Sequence, residues 1–233
     1  MSLTLIHRRV AGRSVRSVAV VSVLVTLASV AVIAAPAQGA VLPSTAHPYG
    51  HTYSEWGAKW WQWAVTQPVA SNPVLDSTGA YCAQGQSGPV WFLAGTFGGS
   101  VTRDCTVPTG KGMLVPVLNL AYFAFPSDPP DQRTEAYVRS QVTAVGTPTS
   151  LFATIDGRNV TNIPNYLEKS VLFQARLPAD NLFGQPEGFL LDPCADEGYY
   201  LVLTPLPPGH HTLHFGGSYD STTIDTIYHL TVR

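Results

Sequence analysis

Four of the five tryptophans in this 233-residue chain, Trp56, Trp60, Trp61 and Trp63, stand within one short segment. Tyr53, Trp56, Trp60 and Trp63 recur at i, i+3, i+7 and i+10, which is one face of a helix, with Trp61 to its side. An indole offers a broad apolar face and one N–H donor, so such a group can take up sugar rings or other flat apolar ligands. The same spacing also serves a helix that packs its apolar face on a sheet. Trp56, Trp60, Trp61 and Trp63 are the candidate ligand-binding residues, and Trp61, off the main stripe, is expected to be the most exposed.

Other residues suggest chemistry and then lose it on geometry. His210 and His214 point to one side of a strand, and pairing around residues 218–221 would set His229 opposite His210 and Asp225 opposite His214. Four residues of strand span about 13 Å, whereas zinc ligands lie about 2 Å from one ion. His210 and His214 therefore cannot share a metal, and neither a metal site nor a cofactor is assigned. Asp192, Asp196 and Glu197 crowd around Cys194 but lack the EF-hand order and its terminal bidentate Glu, so a solvated acidic loop is expected. His51 and Glu55 could form an acid/base pair beside the aromatic face, as glycan cleavage needs, although Glu55 is also placed to cap a helix. The chain holds no G-x-S-x-G elbow, H-E-x-x-H, P-loop or dinucleotide fingerprint. No catalytic residue is assigned.

The N-terminus has the three parts of an export signal: a basic stretch (His7, Arg8, Arg9, Arg13, Arg16), an apolar run over 17–34, and the small-residue exit Ala35-Pro36-Ala37. Residues 1–37 are read as a cleaved signal peptide, with a cut after Ala40 as the alternative. The protein is then secreted, with no membrane span in its mature form. The mature part keeps nine Lys and Arg against 15 Asp and Glu, a formal charge of −6. With no basic cluster, nucleic acid is excluded as a partner. All three cysteines lie in the mature part. In an oxidising compartment a Cys82–Cys105 disulfide is expected, because the two flank one segment that could fold as a hairpin. Cys194 is left over, either to pair instead or to lie buried and inert.

The elements that would position these groups are mostly strands. After a loose lead-in over 38–50, Thr52-Tyr53-Ser54-Glu55 fits a capping box that opens a helix to about Thr66, stopped by Pro68. Residues 131–145 are the other helix expectation, with Val138, Val142 and Val145 on one side. Strands are expected over 90–94, 102–107, 113–118, 151–155, 169–177, 199–204, 210–215 and 223–232. Asp156-Gly157 marks a hairpin turn, and residues 178–197 read as an irregular loop. The fold class is mainly β: an antiparallel β-sandwich, jelly-roll-like, over 51–233, carrying the Trp-rich helix and one further helix.

The segments YSEWGAKWWQW (53–63), GQSGPVWFLAGTFGG (85–99), TVPTGKGMLVPVLN (106–119) and LPPGHHTLHFGG (206–217) resemble a family of secreted bacterial proteins over nearly all of the mature chain. That family has no established activity, so the resemblance implies an exported single domain and no site residues. The function expected is a secreted, non-enzymatic protein that binds a ligand or a cell-envelope component, a glycan among them. A secreted hydrolase of polysaccharide or ester is the alternative, and a purely structural exported protein the third.

Overall fold

The computed structural model describes residues 39–233, and the stretch assigned to a signal peptide, 1–37, lies outside them. The capping box closes as its residues require: Thr52 Oγ1 accepts from the Glu55 N–H, and Glu55 Oε2 accepts from the Thr52 N–H at 2.7 Å. It opens α1 (Tyr53–Val65), whose last turn is capped at Thr66, two residues before Pro68.

The strands are β1 (Val90–Phe92), β2 (Gly99–Val107), β3 (Gly112–Phe123), β4 (Ser150–Ile155), β5 (Arg158–Asn159), β6 (Leu167–Lys169), β7 (Phe173–Arg176), β8 (Leu190–Leu203), β9 (Gly209–Tyr219) and β10 (Thr222–Val232). They form two sheets, one ordered β1-β3-β8-β6 with β7 also on β8, the other β2-β10-β9-β4-β5. The mainly-β fold with a Trp-rich helix is the one expected. Two ladders, β1 with β3 and β2 with β10, run parallel, so both sheets are mixed.

Alternation along β3 and β8 sorts their side chains between two cores. Met113, Val115, Tyr199 and Leu201 meet Leu213, Phe215, Tyr228 and Leu230 of the second sheet. Leu114, Tyr200 and Val202 face α1 on the other side. The first sheet is therefore the middle layer, covered by α1 on one face and by the second sheet on the other. The Cys82–Cys105 disulfide closes a separation of 23 residues and fastens the loop before β1 to β2.

Several expectations need correction. The lead-in is docked rather than loose: Leu42 N–H donates to Val202 O, and Val41 bridges to Leu203. The second helix is broken into a 3-10 turn (Pro130–Arg133), α2 (Glu135–Ser140) and a second 3-10 turn (Thr143–Gly146). The β-branched Val142, Thr143 and Val145 do not favour its continuation, yet Val138, Val142 and Val145 are all buried. The 169–177 strand is split into β6 and β7. Irregular chain ends at Phe189, and β8 carries Asp192, Asp196 and Glu197 as strand residues. The β9–β10 hairpin turns on Asp220-Ser221, which places Thr231 opposite His210 and His229 opposite Thr212, two residues from the expected register.

Helix α1 contains a glycine where it packs against Asp196 and Tyr200 of β8. A Cβ on Gly57 would sit 2.8 Å from Asp196 Oδ1 and 3.1 Å from Tyr200 Cε2, both on fully buried side chains. In an exposed helix, Gly→Ala stabilises by about 1 kcal/mol. Here Gly57→Ala is expected to destabilise by about 1–3 kcal/mol through overpacking, as read from urea unfolding midpoints; a stabilised variant would mean that α1 does not seat on β8 this closely.

Candidate functional site

The indoles are buried and do not form an exposed strip. Trp56, Trp60, Trp61 and Trp63 are all buried, and Trp61, expected to be exposed, is only 6% so. Trp56, Trp60 and Trp63 donate their Nε1–H to Pro48 O, Leu93 O and Gln84 O at 2.8–2.9 Å. Trp61 stands edge-on to Trp60 at 5.0 Å and to Phe123 at 5.6 Å. The periodicity predicts one apolar face, but the flank is buried as well, with Phe123 at the end of β3 standing against the indole that the stripe leaves out.

Beside Trp60 and Trp61 lies a cavity of about 540 Å³, bordered also by Phe123, Leu182, Phe183 and Ile224. Leu75 and Phe97 line it too, and at 47% and 55% exposure they are the most exposed large hydrophobic side chains among the described residues. Its lining is mostly apolar, with Thr96, Asn119, Tyr219 and Thr222 as polar members. A concave, aromatic-lined space with a few polar groups is the usual form of a small-molecule site.

Arg103 holds the loops that carry this lining. The residue is 1% exposed, and its guanidinium donates to Val74 O, Asp76 O, Ala94 O and Gly95 O at 2.6–3.2 Å. Its Cζ also lies 5.6 Å from the Tyr228 ring centroid. Five donors in a rigid fork suit this bracing of two loops, which a lysine could not reproduce. One loop presents Val74 and Leu75 to the cavity, the other Thr96 and Phe97.

Behind the cavity sits a buried carboxyl group. Asp196 is fully buried, and its Oδ2 accepts from Tyr200 Oη at 2.7 Å. Tyr200 Oη in turn accepts from Asn119 Nδ2 at 2.9 Å. Asn119 and Trp61 both line the cavity, so two of its lining residues back onto this group. Asp196 Oδ1 and Trp61 Nε1 make no hydrogen bond of good geometry, although the indole N–H lies near enough to favour the carboxylate. Burial pushes the Asp196 carboxyl up to about 7, against the pull of Tyr200, Ser170 and Trp61. Burial also raises Tyr200 well above the ordinary phenol range. The solvated acidic loop is thus corrected: Asp196 and Glu197 are inside, and Cys194 beside them is a buried thiol pushed up to about 12, an inert group. Sequence reasoning missed Asn119, Tyr200 and Arg103. The one available signal was a carboxylate set in the apolar strand run CADEGYYLVL.

The remaining polar pairs do not converge on one centre. Glu55 Oε2 lies 3.7 Å from His51 Nδ1, but the Thr52 N–H and hydroxyl hold its carboxyl below the usual range, which makes it a poor acid. His214 Nε2 lies 2.7 Å from Asp225 Oδ1, a diagonal cross-strand pair. His211 reaches Asp156 Oδ2 at 2.8 Å through Nδ1 and Pro207 O at 2.9 Å through Nε2, beside a polar concavity of about 760 Å³. With both ring nitrogens facing acceptors, His211 has no lone pair free to act as a base. Among the described residues no group of three or more His, Cys, Asp or Glu could hold a metal ion. Comparison with protein-family profiles, curated proteins and solved structures gave no match.

The His211–Asp156 pair fixes a pH dependence of stability. Burial lowers the His211 pKa, but Asp156 and Pro207 outweigh it and the net shift is upward; burial likewise raises Asp156, and His211 with the Thr212 N–H brings it net downward. The pair's contribution is full between the unfolded carboxylate and imidazole values, about pH 4 to 6.5. It fades as pH rises through the folded His211 value and as it falls through the folded Asp156 value. His211→Ala is expected to cost about 0.5–1 kcal/mol more at pH 5.5 than at pH 8.5, measured by chemical denaturation; an equal cost at both would show that the imidazolium is not the bound form.

Proposed function

We propose that this chain is an extracytoplasmic binding protein for a small, mainly apolar ligand, held in the cavity between α1, β3 and the loops braced by Arg103. The carrying observation is the cavity itself: Trp60, Trp61, Phe123 and Phe183 wall about 540 Å³ of space, and its rim bears the two most exposed large hydrophobics. Apolar side chains left open around a concave space point to an apolar occupant. The sequence-stretch at 1–37 and the Cys82–Cys105 disulfide support a place outside the cytoplasm, and no helix among the described residues is long and apolar enough to cross a membrane.

A glycan or envelope polymer stacked on exposed indoles has no surface on α1, because every indole of the helix is buried. The hydrolase reading has less support, because the Glu55 carboxyl of its His51–Glu55 pair is held below the usual range by Thr52 and is a poor acid.

The test is equilibrium binding of an uncharged fluorescent probe, N-phenyl-1-naphthylamine. Wild-type protein is expected to bind it at micromolar concentration, and Ala121→Phe, which fills the cavity from β3, to bind at least tenfold more weakly. Equal binding by both forms, or none by the wild type, would remove the cavity as the site.

A further inference from the structure

The cavity's polar lining is not independent of what lies behind it. A tyrosine hydroxyl has one proton. Tyr200 donates it to Asp196 Oδ2 at 2.7 Å, so its oxygen is left to accept, and it accepts from Asn119 Nδ2 at 2.9 Å. That fixes the orientation of the Asn119 carboxamide. Its Oδ1 takes part in no hydrogen bond among the described residues and is not sealed from solvent. While Asp196 is a carboxylate it can only accept, and the chain runs in one direction, from Asn119 through Tyr200 to Asp196.

Protonation permits the opposite direction. A proton taken from solvent makes the Asp196 carboxyl a donor to Tyr200 Oη. The Tyr200 hydroxyl is then free to donate to Asn119 Oδ1, and the carboxamide turns to leave its NH₂ unengaged. No bond between heavy atoms forms or breaks; one proton is added and the hydrogen bonds reverse.

We propose that the Asp196–Tyr200–Asn119 chain sets the hydrogen-bond polarity that the cavity shows its ligand: an acceptor while Asp196 is a carboxylate, a donor once it is a carboxylic acid. This deepens the apolar-ligand reading and rests on it. The ligand class follows: apolar molecules with a single hydroxyl at higher pH, and apolar ethers or ketones, which only accept, at lower pH. A hydroxyl both donates and accepts, so alcohols remain acceptable in either state, whereas ethers bind well in one. A carboxylate ligand is disfavoured beside the ionised Asp196.

The groups around Asp196 leave it as the titrating member. On its own strand are Tyr200 and Glu197, the latter also raised by burial, with Lys169 of β6 at 3.9 Å from it. From α1 it meets Gly57 and Trp61, neither of which titrates. Ser170 Oγ accepts from the Asp196 N–H, and Arg139 of α2 donates to the Ser170 carbonyl at 3.1 Å. No cation among these makes an ion pair with Asp196 among the described residues.

The experiment compares 2-naphthalenemethanol with its methyl ether, two uncharged probes of the same shape, by calorimetric titration into the purified protein from pH 5 to pH 9. In the wild type the affinity ratio of alcohol to ether is expected to rise about fivefold or more with pH, the size of one hydrogen bond gained or lost. In Asp196→Asn the ratio should stay flat. If that buried change prevents folding, Asn119→Leu, at a half-buried position, serves as the second variant and should also be flat. A flat wild-type ratio with both probes bound overturns the relay and leaves the apolar cavity standing; binding of neither probe at any pH overturns both.

Discussion

Strand β8 from Cys194 to Leu203 has no face open to solvent. The second sheet covers one side and α1, with its flanking loops, the other. A strand covered on both faces usually reads as continuous Val, Ile and Leu, yet β8 carries Asp196, Glu197, Tyr199 and Tyr200 through the interior. Each of these needs a partner, because a buried polar group without one costs on the order of 1–3 kcal/mol. Much of the local architecture meets that need. Ser170 bonds the Asp196 main chain, Tyr200 bonds its side chain, Gly146 leaves room for the Glu197 carboxyl, and Gly57 lets α1 pass over Asp196 without a Cβ between them.

The close seat of α1 at Gly57 carries Trp60 and Trp61 down into the fold, where Trp61 meets Phe123 of β3 rather than water. A helix standing further off would present its flank to solvent. On the far side of the cavity Arg103 does comparable work: a cation satisfied by main-chain carbonyls fixes two loops that have no regular structure where they reach the cavity. A buried charge of this kind is costly to strand without its partners, so the loops and the guanidinium hold one another. The cavity therefore has a rigid wall on the helix side and a braced wall on the loop side, with the buried carboxyl group reached through Asn119.

Local chemistry made part of this legible in the sequence. The capping box at Thr52 and Glu55, the helical stripe of Tyr53, Trp56, Trp60 and Trp63, the hairpin at Asp156-Gly157 and the pairing of Cys82 with Cys105 all depend on residues close in sequence or on a compartment's redox state. What was not legible depends on contacts far along the chain. The start of β8 was hidden because Asp192, Pro193, Asp196 and Glu197 read as loop residues; Ser170 and Ala124, 26 and 69 residues away, are among the partners that make them tolerable in a strand. Trp61 lay outside the helical stripe, and periodicity cannot report that Phe123 of β3 stands against that flank. Asn119 follows the apolar run of β3 and looked like its end, although it links the cavity to Tyr200. The parallel ladders β1–β3 and β2–β10 are invisible to alternation, which has the same period in either direction.

The indoles of α1 lie inside the fold, with Trp60 and Trp61 walling the cavity, and not on an outer platform. All five tryptophans, Trp91 included, are 6% exposed or less, so the emission of the whole protein reports on it without dissection. Tryptophan emission is expected to be blue-shifted, and to be quenched by acrylamide poorly in the folded protein and readily after unfolding in guanidinium. A red-shifted population that acrylamide quenches readily in the folded protein would contradict it, and would return the indoles to the surface as a platform for a polymer.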